Sequence, residues 1–148
     1  MPRTLIIGYG NTLRRDDAAG VIAAETLQRE LEGQARVRVV ARHQLTPELA
    51  ADLAESDRAL FIDAAAKGEP GTISLQRITP PPPSSSPLEI GHNLTPATLL
   101  ALARDIYGSH PSTWILTVTG RDFDLQQGIS TDVRDALPKL LDRARRWM

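Results

Sequence analysis

The sequence predicts an α/β fold: one domain containing a twisted, mostly parallel five-stranded sheet, with helices on both faces. The chain has 148 residues, enough for one sizeable core, and we expect residues 1–148 to form a single domain. Short apolar segments alternate with segments of helical periodicity, which is typical of parallel sheets. One segment, TISLQRI, alternates apolar and polar residues, as an edge strand does.

Five segments have the composition of β-strands. RTLIIG and RALFID are short and apolar, which predicts buried strands. RVRVVA alternates charged and apolar residues, which predicts a second strand. TWILTV is the fifth expected strand, after TISLQRI. The expected strands cover residues 3–8, 36–41, 58–63, 72–78 and 113–118.

Four segments carry the signals of helices. Thr46 and Thr95 each precede a proline, which is the pattern of an N-cap followed by the first helical position. Pro138 is expected to kink the last helix, because proline removes one backbone hydrogen bond. The expected helices are 16–31, one that begins at Thr46, one from Thr95 to a stop at Gly108, and 131–147.

A proline- and serine-rich segment, TPPPPSSSP (79–87), separates the fourth strand from the third helix. It cannot form a helix or a central strand, so we expect an extended loop of polyproline character. Its place inside a compact chain makes it a loop and not a linker between domains.

Composition excludes several classes of function. The formal net charge of -1 argues against a nucleic-acid-binding protein, which normally carries a basic surface. The absence of cysteine excludes disulfides, thiolate zinc sites and cysteine nucleophiles. No apolar run reaches the length of a membrane span or of a signal peptide. We therefore expect a cytoplasmic protein with neither nucleic acid nor membrane as a partner.

Ionisable residues lie where the parallel strands are expected to end. Asp16 and Asp17 follow the first strand, Asp63 ends the third, and His92 precedes the helix that leads to the fifth. Because sites in such folds form beyond the carboxyl ends of the strands, we expect the residues just after the first, third and fifth strands to converge. Two aspartates and one histidine suit a divalent metal such as nickel or zinc, and they equally suit an acid–base pair.

Each of these residues has a simpler interpretation. An aspartate at a helix start is commonly a cap, so of Asp16 and Asp17 we expect one to cap and one to face the cleft. A loop histidine such as His92 is commonly solvated. Asp63 is harder to explain structurally, because a charge near the core is costly unless it is paired.

The glycine turn GYGN leaves a second class of function open, a nucleotide- or phosphate-binding module. Two features count against it. Leu13 occupies the position of the third glycine in a dinucleotide fingerprint, and the acidic pair would repel a phosphate. A stand-alone metal-dependent hydrolase is a further alternative, although the standard hydrolase motifs are missing.

The chain resembles the maturation endopeptidases of [NiFe] hydrogenases. The resemblance rests on GYGNTLRRDDAAGV (8–21), FIDAAAKGEPGT (61–72) and GHNLTPATLLALARDIYG (91–108), which is followed by WILTVTG. The segment HQLTPELA (43–50) is more similar to the branch that serves soluble, NAD-linked bidirectional hydrogenases than to the branch that serves membrane-bound uptake enzymes.

This resemblance implies an activity and a set of site residues. These enzymes remove a C-terminal extension from the hydrogenase large-subunit precursor after nickel insertion. Carried over by motif, Asp17, Asp63 and His92 contact the metal, Asp17 and Asp63 are the catalytic candidates, and Asp16 and Asn11 have supporting roles. The nickel belongs to the substrate, and no tightly bound cofactor of the enzyme's own is expected.

Overall fold

The expected sheet is present. Its strands are β1 (Thr4–Tyr9), β2 (Val37–Arg42), β3 (Arg58–Ala65), β4 (Ile73–Ile78) and β5 (Ser112–Thr119). The computed structural model describes residues 3–83 and 94–148, and in it the strand order is β2-β1-β3-β5-β4. β1, β2, β3 and β5 run parallel, and β4 runs antiparallel to β5 at one edge. The predicted sheet, including its edge strand, is confirmed.

Helices cover both faces of the sheet. They are α1 (Ala19–Glu30), α2 (Leu49–Ala54), α3 (Pro96–Tyr107) and α4 (Thr131–Trp147), and a short 3-10 helix, Arg15–Ala18, precedes α1. α1 and α4 pack on one face, while α2 and α3 pack on the other. No helix in the described ranges has the length and apolar character needed to cross a membrane.

Alternation along the strands produces two cores, one on each face. Ile6, Leu60 and Ile62 point to α1 and α4, whereas Ile7 and Phe61 point to α2 and α3. All five are fully buried. Each such side chain contributes about 1.5–3 kcal/mol through its removal from water, so the two layers hold the central strands in place.

The signals at α3 are confirmed in detail. Thr95 is its N-cap and forms a reciprocal pair of hydrogen bonds with Thr98, while Pro96 occupies the first turn. Gly108 ends the helix with φ +79, a left-handed conformation that glycine adopts without strain. α4 continues on both sides of Pro138 as one helix.

The expected cap at Thr46 is wrong. α2 begins at Leu49, its N-cap Glu48 makes no side-chain hydrogen bond, and the Thr46 hydroxyl is buried without a partner in the described ranges. The Leu49 amide instead donates to the carbonyl of Thr46 at 3.1 Å, three residues back. Residues 46–48 therefore form a tight turn that delays the start of the helix.

The strands also run further than their apolar segments suggest. β3 extends to Ala65, so Asp63 lies inside the strand and does not end it. The reason is that β5 extends to Thr119 and pairs with β3 up to Ala65. Residues 84–93, which include His92 and all three serines of the expected loop, lie outside the described residues.

Two glycines allow α1 to lie directly on the strand ends. A Cβ at Gly8 would lie 2.1 Å from the Gly20 carbonyl oxygen. A Cβ at Gly20 would lie 2.3 Å from the carbonyl oxygen of Ile62 and 2.7 Å from that of Tyr9. These distances are far below van der Waals contact, so a side chain at either position would push the helix off the sheet.

We expect Gly20→Ala to lower the free energy of unfolding by about 3 kcal/mol, because the new methyl group overpacks a backbone contact. Helix propensity alone predicts the opposite sign, a gain of about 1 kcal/mol. Urea denaturation monitored by circular dichroism gives the value. Gly33→Ala is the control, since no atom lies within 4 Å and only its φ of +88 opposes the change, at about 1 kcal/mol. Equal losses at both positions would contradict the close packing of α1.

Candidate active site

Two loops meet at the carboxyl ends of the parallel strands. The loop between β1 and α1 lies beside the loop between β5 and α4, and a parallel bridge joins Arg14 to Gln126. The Gly120 amide donates to the carbonyl of Ala65 at 2.9 Å, which brings the end of β3 to the same place. The expected convergence of the segments that follow the first, third and fifth strands is confirmed.

Asp16 joins the two loops through a buried carboxylate. The side chain is fully buried. Its Oδ1 accepts the Ser130 amide at 2.7 Å, and its Oδ2 accepts the Ser130 hydroxyl at 2.8 Å. Oδ2 also accepts the amides of Arg121 at 2.7 Å and Asp122 at 3.1 Å. With four donors around it, this carboxylate is structural.

The hydrogen bonds keep Asp16 charged. Desolvation by burial opposes the ionised form, but the donors of Ser130, Arg121 and Asp122 outweigh it, so the pKa of Asp16 lies below its usual value. Ser130 is also the N-cap of α4, and its hydroxyl accepts the Val133 amide at 3.4 Å. One hydroxyl therefore links the start of α4 to the β1–α1 loop.

Asp17 has different surroundings. It is half-buried, and its Oδ2 accepts the Asn11 amide at 2.7 Å. Its Oδ1 makes no hydrogen bond within residues 3–83 and 94–148. The charge of Asp17 also contributes to the raised pKa values of Tyr9 and Asp63, so it acts electrostatically on both. Asp17 thus keeps an oxygen available for a ligand.

The expectation that one member of the acidic pair caps the helix is wrong. Asp16 accepts hydrogen bonds across the loops, Asp17 accepts one from the preceding turn, and neither the 3-10 helix nor α1 has a side-chain cap. Arg15, just before the pair, has a left-handed φ of +44, which is uncommon for a residue other than glycine.

The glycine turn is not an anion cradle. A Cβ at Gly10 would lie 1.9 Å from the Asp17 carbonyl oxygen, so the glycine makes room for Asp17. The Gly10 amide donates to Arg42, the Asn11 amide to Asp17, and the Leu13 amide to the Asn11 side chain. Because these donors are already used, the phosphate-binding alternative loses the free amides it requires.

Asp63 is a half-buried carboxylate with a perturbed pKa. Burial raises its pKa to about 6, the Tyr9 hydroxyl and the Ala64 amide lower it in part, and the charge of Asp17 raises it further. The Ala64 amide donates to Oδ1 at 2.8 Å. The Tyr9 hydroxyl lies within reach of the carboxylate, and its own pKa is raised by burial and then by Asp63. A carboxyl group with a pKa near 6 is suited to proton transfer near neutral pH.

A row of polar side chains crosses the sheet at this level. Asp63 pairs in register with Thr117, and Thr117 pairs with Ser74 on the edge strand. Tyr9, next to Asp63 on β1, packs its ring edge-on against Phe61 with centroids 6.4 Å apart. All four polar residues are half-buried. The apolar core of the α2–α3 face therefore ends at Phe61, and a polar strip begins above it.

The histidines give no further ligand in the described ranges. His92 lies outside them. His43 is exposed after β2, and His110 precedes β5, near the opposite end of the sheet. No three histidine, aspartate or glutamate side chains within 3–83 and 94–148 are grouped closely enough to hold a metal ion.

Solved structures share this architecture. The hydrogenase maturating endopeptidase HybD from E. coli superposes with a TM-score of 0.74 at 24% identity, covering 96% of this chain and 89% of that one. The [NiFe] hydrogenase maturation protease HycI from Thermococcus kodakarensis KOD1 gives 0.72 at 23% identity, covering 98% and 91%. The chain has the hydrogenase maturation endopeptidase fold. No protein-family model matches the sequence, and no curated protein matches it closely enough to count as a relative.

HybD from Thermococcus kodakarensis, also a [NiFe] hydrogenase maturation protease, matches over the whole length of both proteins. Its TM-score is 0.67 at 22% identity, and the match covers 98% of each chain. The shared fold therefore includes the strand ends where Asp17 and Asp63 lie.

Sequence reasoning missed two residues of the site. Tyr9 belongs to the glycine turn GYGN in the sequence, and the pairing of β1 with β3 places it beside Asp63. Ser130 was not singled out, although a serine directly before the last helix is an N-cap signal. No sequence signal connects Ser130 to Asp16, which lies 114 residues away.

We expect Asp16→Asn to lower the free energy of unfolding by about 3 kcal/mol. An amide offers one acceptor oxygen, so buried donors from the β5–α4 loop lose their partner. Asp17→Asn is the matched control and should cost below about 1 kcal/mol, since only one of the Asp17 oxygens is hydrogen-bonded. Thermal and urea denaturation of both variants test this. A cost at Asp17 as large as that at Asp16 would contradict the assignment of the structural role.

Asp63→Asn should have the opposite effect on stability. The folded protein binds a proton at Asp63 more tightly than the unfolded chain does, so this contribution is present below about pH 4 and is lost as pH rises through about 6. Asparagine cannot ionise, and above pH 7 the variant should be more stable by about 1–2 kcal/mol.

Unfolding free energies at pH 4.5 and pH 7.5 measure the difference between wild type and Asp63→Asn. The gain should grow over that interval and then stay constant. A variant less stable than wild type at pH 7.5 would show that ionised Asp63 is stabilised by its surroundings.

Proposed function

We propose that this protein is an endopeptidase that removes the C-terminal extension of a [NiFe] hydrogenase large-subunit precursor after nickel insertion. One observation carries the proposal: two half-buried carboxylates, Asp17 and Asp63, lie at the strand ends of this fold, and the charge of Asp17 raises the pKa of Asp63. Further support comes from the structural neighbours, which are themselves hydrogenase maturation proteases.

In this proposal, Asp17, Asp63 and His92 contact the nickel that the substrate carries. Carboxylate and imidazole groups are suitable ligands for a divalent cation, and Asp17 keeps an oxygen free of protein hydrogen bonds in the described ranges. Leu94, two residues after His92 in the sequence, packs on the core of the face that carries Asp63.

The ligand set is incomplete without the substrate. Three such groups leave a nickel ion short of ligands, and this chain contains no cysteine to supply thiolates. Thiolates of the precursor would complete the coordination, so only a nickel-loaded precursor would dock productively. The free enzyme would hold no metal tightly and would need no cofactor of its own.

The reaction is hydrolysis of one peptide bond. A water molecule adds to the carbonyl carbon and loses a proton, and the carbon–nitrogen bond then breaks as the amine receives one. Asp63, with a pKa raised to about 6, can exchange that proton near neutral pH. In our proposal Asp17 and Asp63 touch the reacting groups, whether a carboxylate activates the water or nickel polarises the carbonyl.

We further propose that the substrate belongs to a soluble, NAD-linked bidirectional hydrogenase. Support comes from the segment HQLTPELA. Leu45 and Leu49 of this segment are buried in the α2–α3 core and serve packing. His43, Gln44, Pro47 and Glu48 are exposed, so a substrate can contact them.

Asp63→Asn should lower the processing rate of a nickel-loaded precursor by at least about a thousandfold, because it removes both a ligand and a titrating group. The assay mixes enzyme with nickel-loaded or nickel-free precursor and reads the mass of the product. Asp135→Asn is the control, because Asp135 is exposed on α4 and should process at the wild-type rate.

The other outcomes separate the alternatives. Wild-type processing by Asp63→Asn would remove Asp63 from the mechanism. Equal cleavage of nickel-free and nickel-loaded precursor would overturn nickel recognition while leaving the peptidase. Cleavage of simple peptides by enzyme that retains metal through purification would favour a stand-alone metal-dependent hydrolase.

A further inference from the structure

Two large apolar side chains are exposed on the rim of the candidate active site. Leu13, in the β1–α1 loop, is 51% exposed, and Leu125, in the β5–α4 loop, is 71% exposed. The other exposed large apolar residues of the described ranges lie at the end of α3 and at the end of the chain (Ile106, Tyr107 and Met148).

Leu13 and Leu125 are neighbours although they are far apart in sequence. Each precedes one member of the bridge between Arg14 and Gln126, so the two leucines are adjacent in its register. The Gln126 amide donates to the Leu13 carbonyl at 2.8 Å, and the Arg15 amide donates to the Gln126 carbonyl at 3.0 Å. The two side chains therefore form one apolar patch.

The patch is fixed to the candidate active site. The Asp17 amide donates to the Arg14 carbonyl at 3.0 Å, so Leu13 directly precedes the hydrogen-bonded turn that carries Asp17. The buried carboxylate of Asp16 holds the opposing loop through its hydrogen bonds to Arg121, Asp122 and Ser130. Apolar side chains that are exposed side by side mark a candidate interaction surface.

Positive and negative side chains on the rim balance each other. Arg15 pairs with Asp122 at 3.4 Å, and Arg121 pairs with Asp132 at 2.6 Å. Arg14 and Asp124 are exposed and carry one charge of each sign. The rim therefore offers a partner an apolar contact and no electrostatic field of one sign. Such a surface suits a folded protein better than a nucleotide or a highly charged peptide.

We infer that Leu13 and Leu125 form a docking surface for the folded body of the large-subunit precursor. The inference rests on the proposed function: if nickel held by the folded precursor must reach Asp17, then that body lies over the turn that carries Leu13. The cleaved extension is a separate part of the substrate, and the docking surface contacts the protein that remains after cleavage.

The test is the processing of nickel-loaded precursor by Leu13→Ser, by Leu125→Ser and by the double variant. Each single change should raise KM about fivefold and the double change at least twentyfold, with kcat within twofold of wild type. Melting temperatures should stay within 2 °C, because both side chains are exposed. Ile106→Ser is the matched control: Ile106 is 65% exposed at the end of α3, away from the site, and its KM should not change.

The outcomes distinguish the two proposals. If wild type cleaves the precursor and the double variant has the same KM, the docking surface is wrong and the proposed function stands. If wild type cleaves no nickel-loaded precursor, both fall. Light scattering gives the third outcome: a wild-type dimer that the double variant converts to monomer would assign the patch to a second copy of this chain and overturn docking of the precursor.

Discussion

The structure around the candidate active site depends on the buried carboxylate of Asp16. Three residues of the β5–α4 loop donate four hydrogen bonds to it, and one of them, Ser130, also caps α4. A buried charge is tolerated only when such donors replace water, and here they are backbone amides and a hydroxyl whose positions the fold already sets. The β1–α1 loop is thereby fixed against the β5–α4 loop, and the position of Asp17 follows from that attachment. The adjacent aspartates thus have different roles: Asp16 fixes the turn, and the turn positions Asp17.

Close backbone contact supplies the second half of this arrangement. Gly8 and Gly20 bring α1 onto the strand ends, and Gly10 makes room for the backbone of Asp17. Gly8 and Gly10, which suggested a phosphate loop in the sequence, therefore serve packing, while amides of the turn donate internal hydrogen bonds. This explains how a glycine-rich strand-to-helix turn can carry carboxylates where nucleotide-binding proteins carry a phosphate.

Much of the fold was predictable because it depends on local pattern. Apolar alternation located the strands, and the Thr95-Pro96 and Gly108 signals located α3. The errors arose where distant pairing overrode local pattern: β5 extends β3 beyond Asp63, and a tight turn displaces the start of α2 from Thr46. At the site, residue types at strand ends selected Asp16, Asp17 and Asp63 as candidates, and only the family resemblance distinguished Asp17 from Asp16. Their neighbours Tyr9 and Ser130 could not be found in this way, because the contacts to Asp63 and Asp16 exist only after the sheet has assembled.

The placement of Asp63 makes physical sense for a metal that arrives with a substrate. Burial and the nearby charge of Asp17 make its ionised form unfavourable in the free protein. A proton relieves part of that cost, and a divalent cation between the two carboxylates would relieve more of it. Two carboxylates alone hold such a cation weakly, so the repulsion persists until a partner brings further ligands. Under the proposed function, the two carboxylates of Asp17 and Asp63 repel each other in the free enzyme and bind favourably only when nickel-loaded substrate is present. The free-energy difference between those two states is what discriminates loaded from empty precursor.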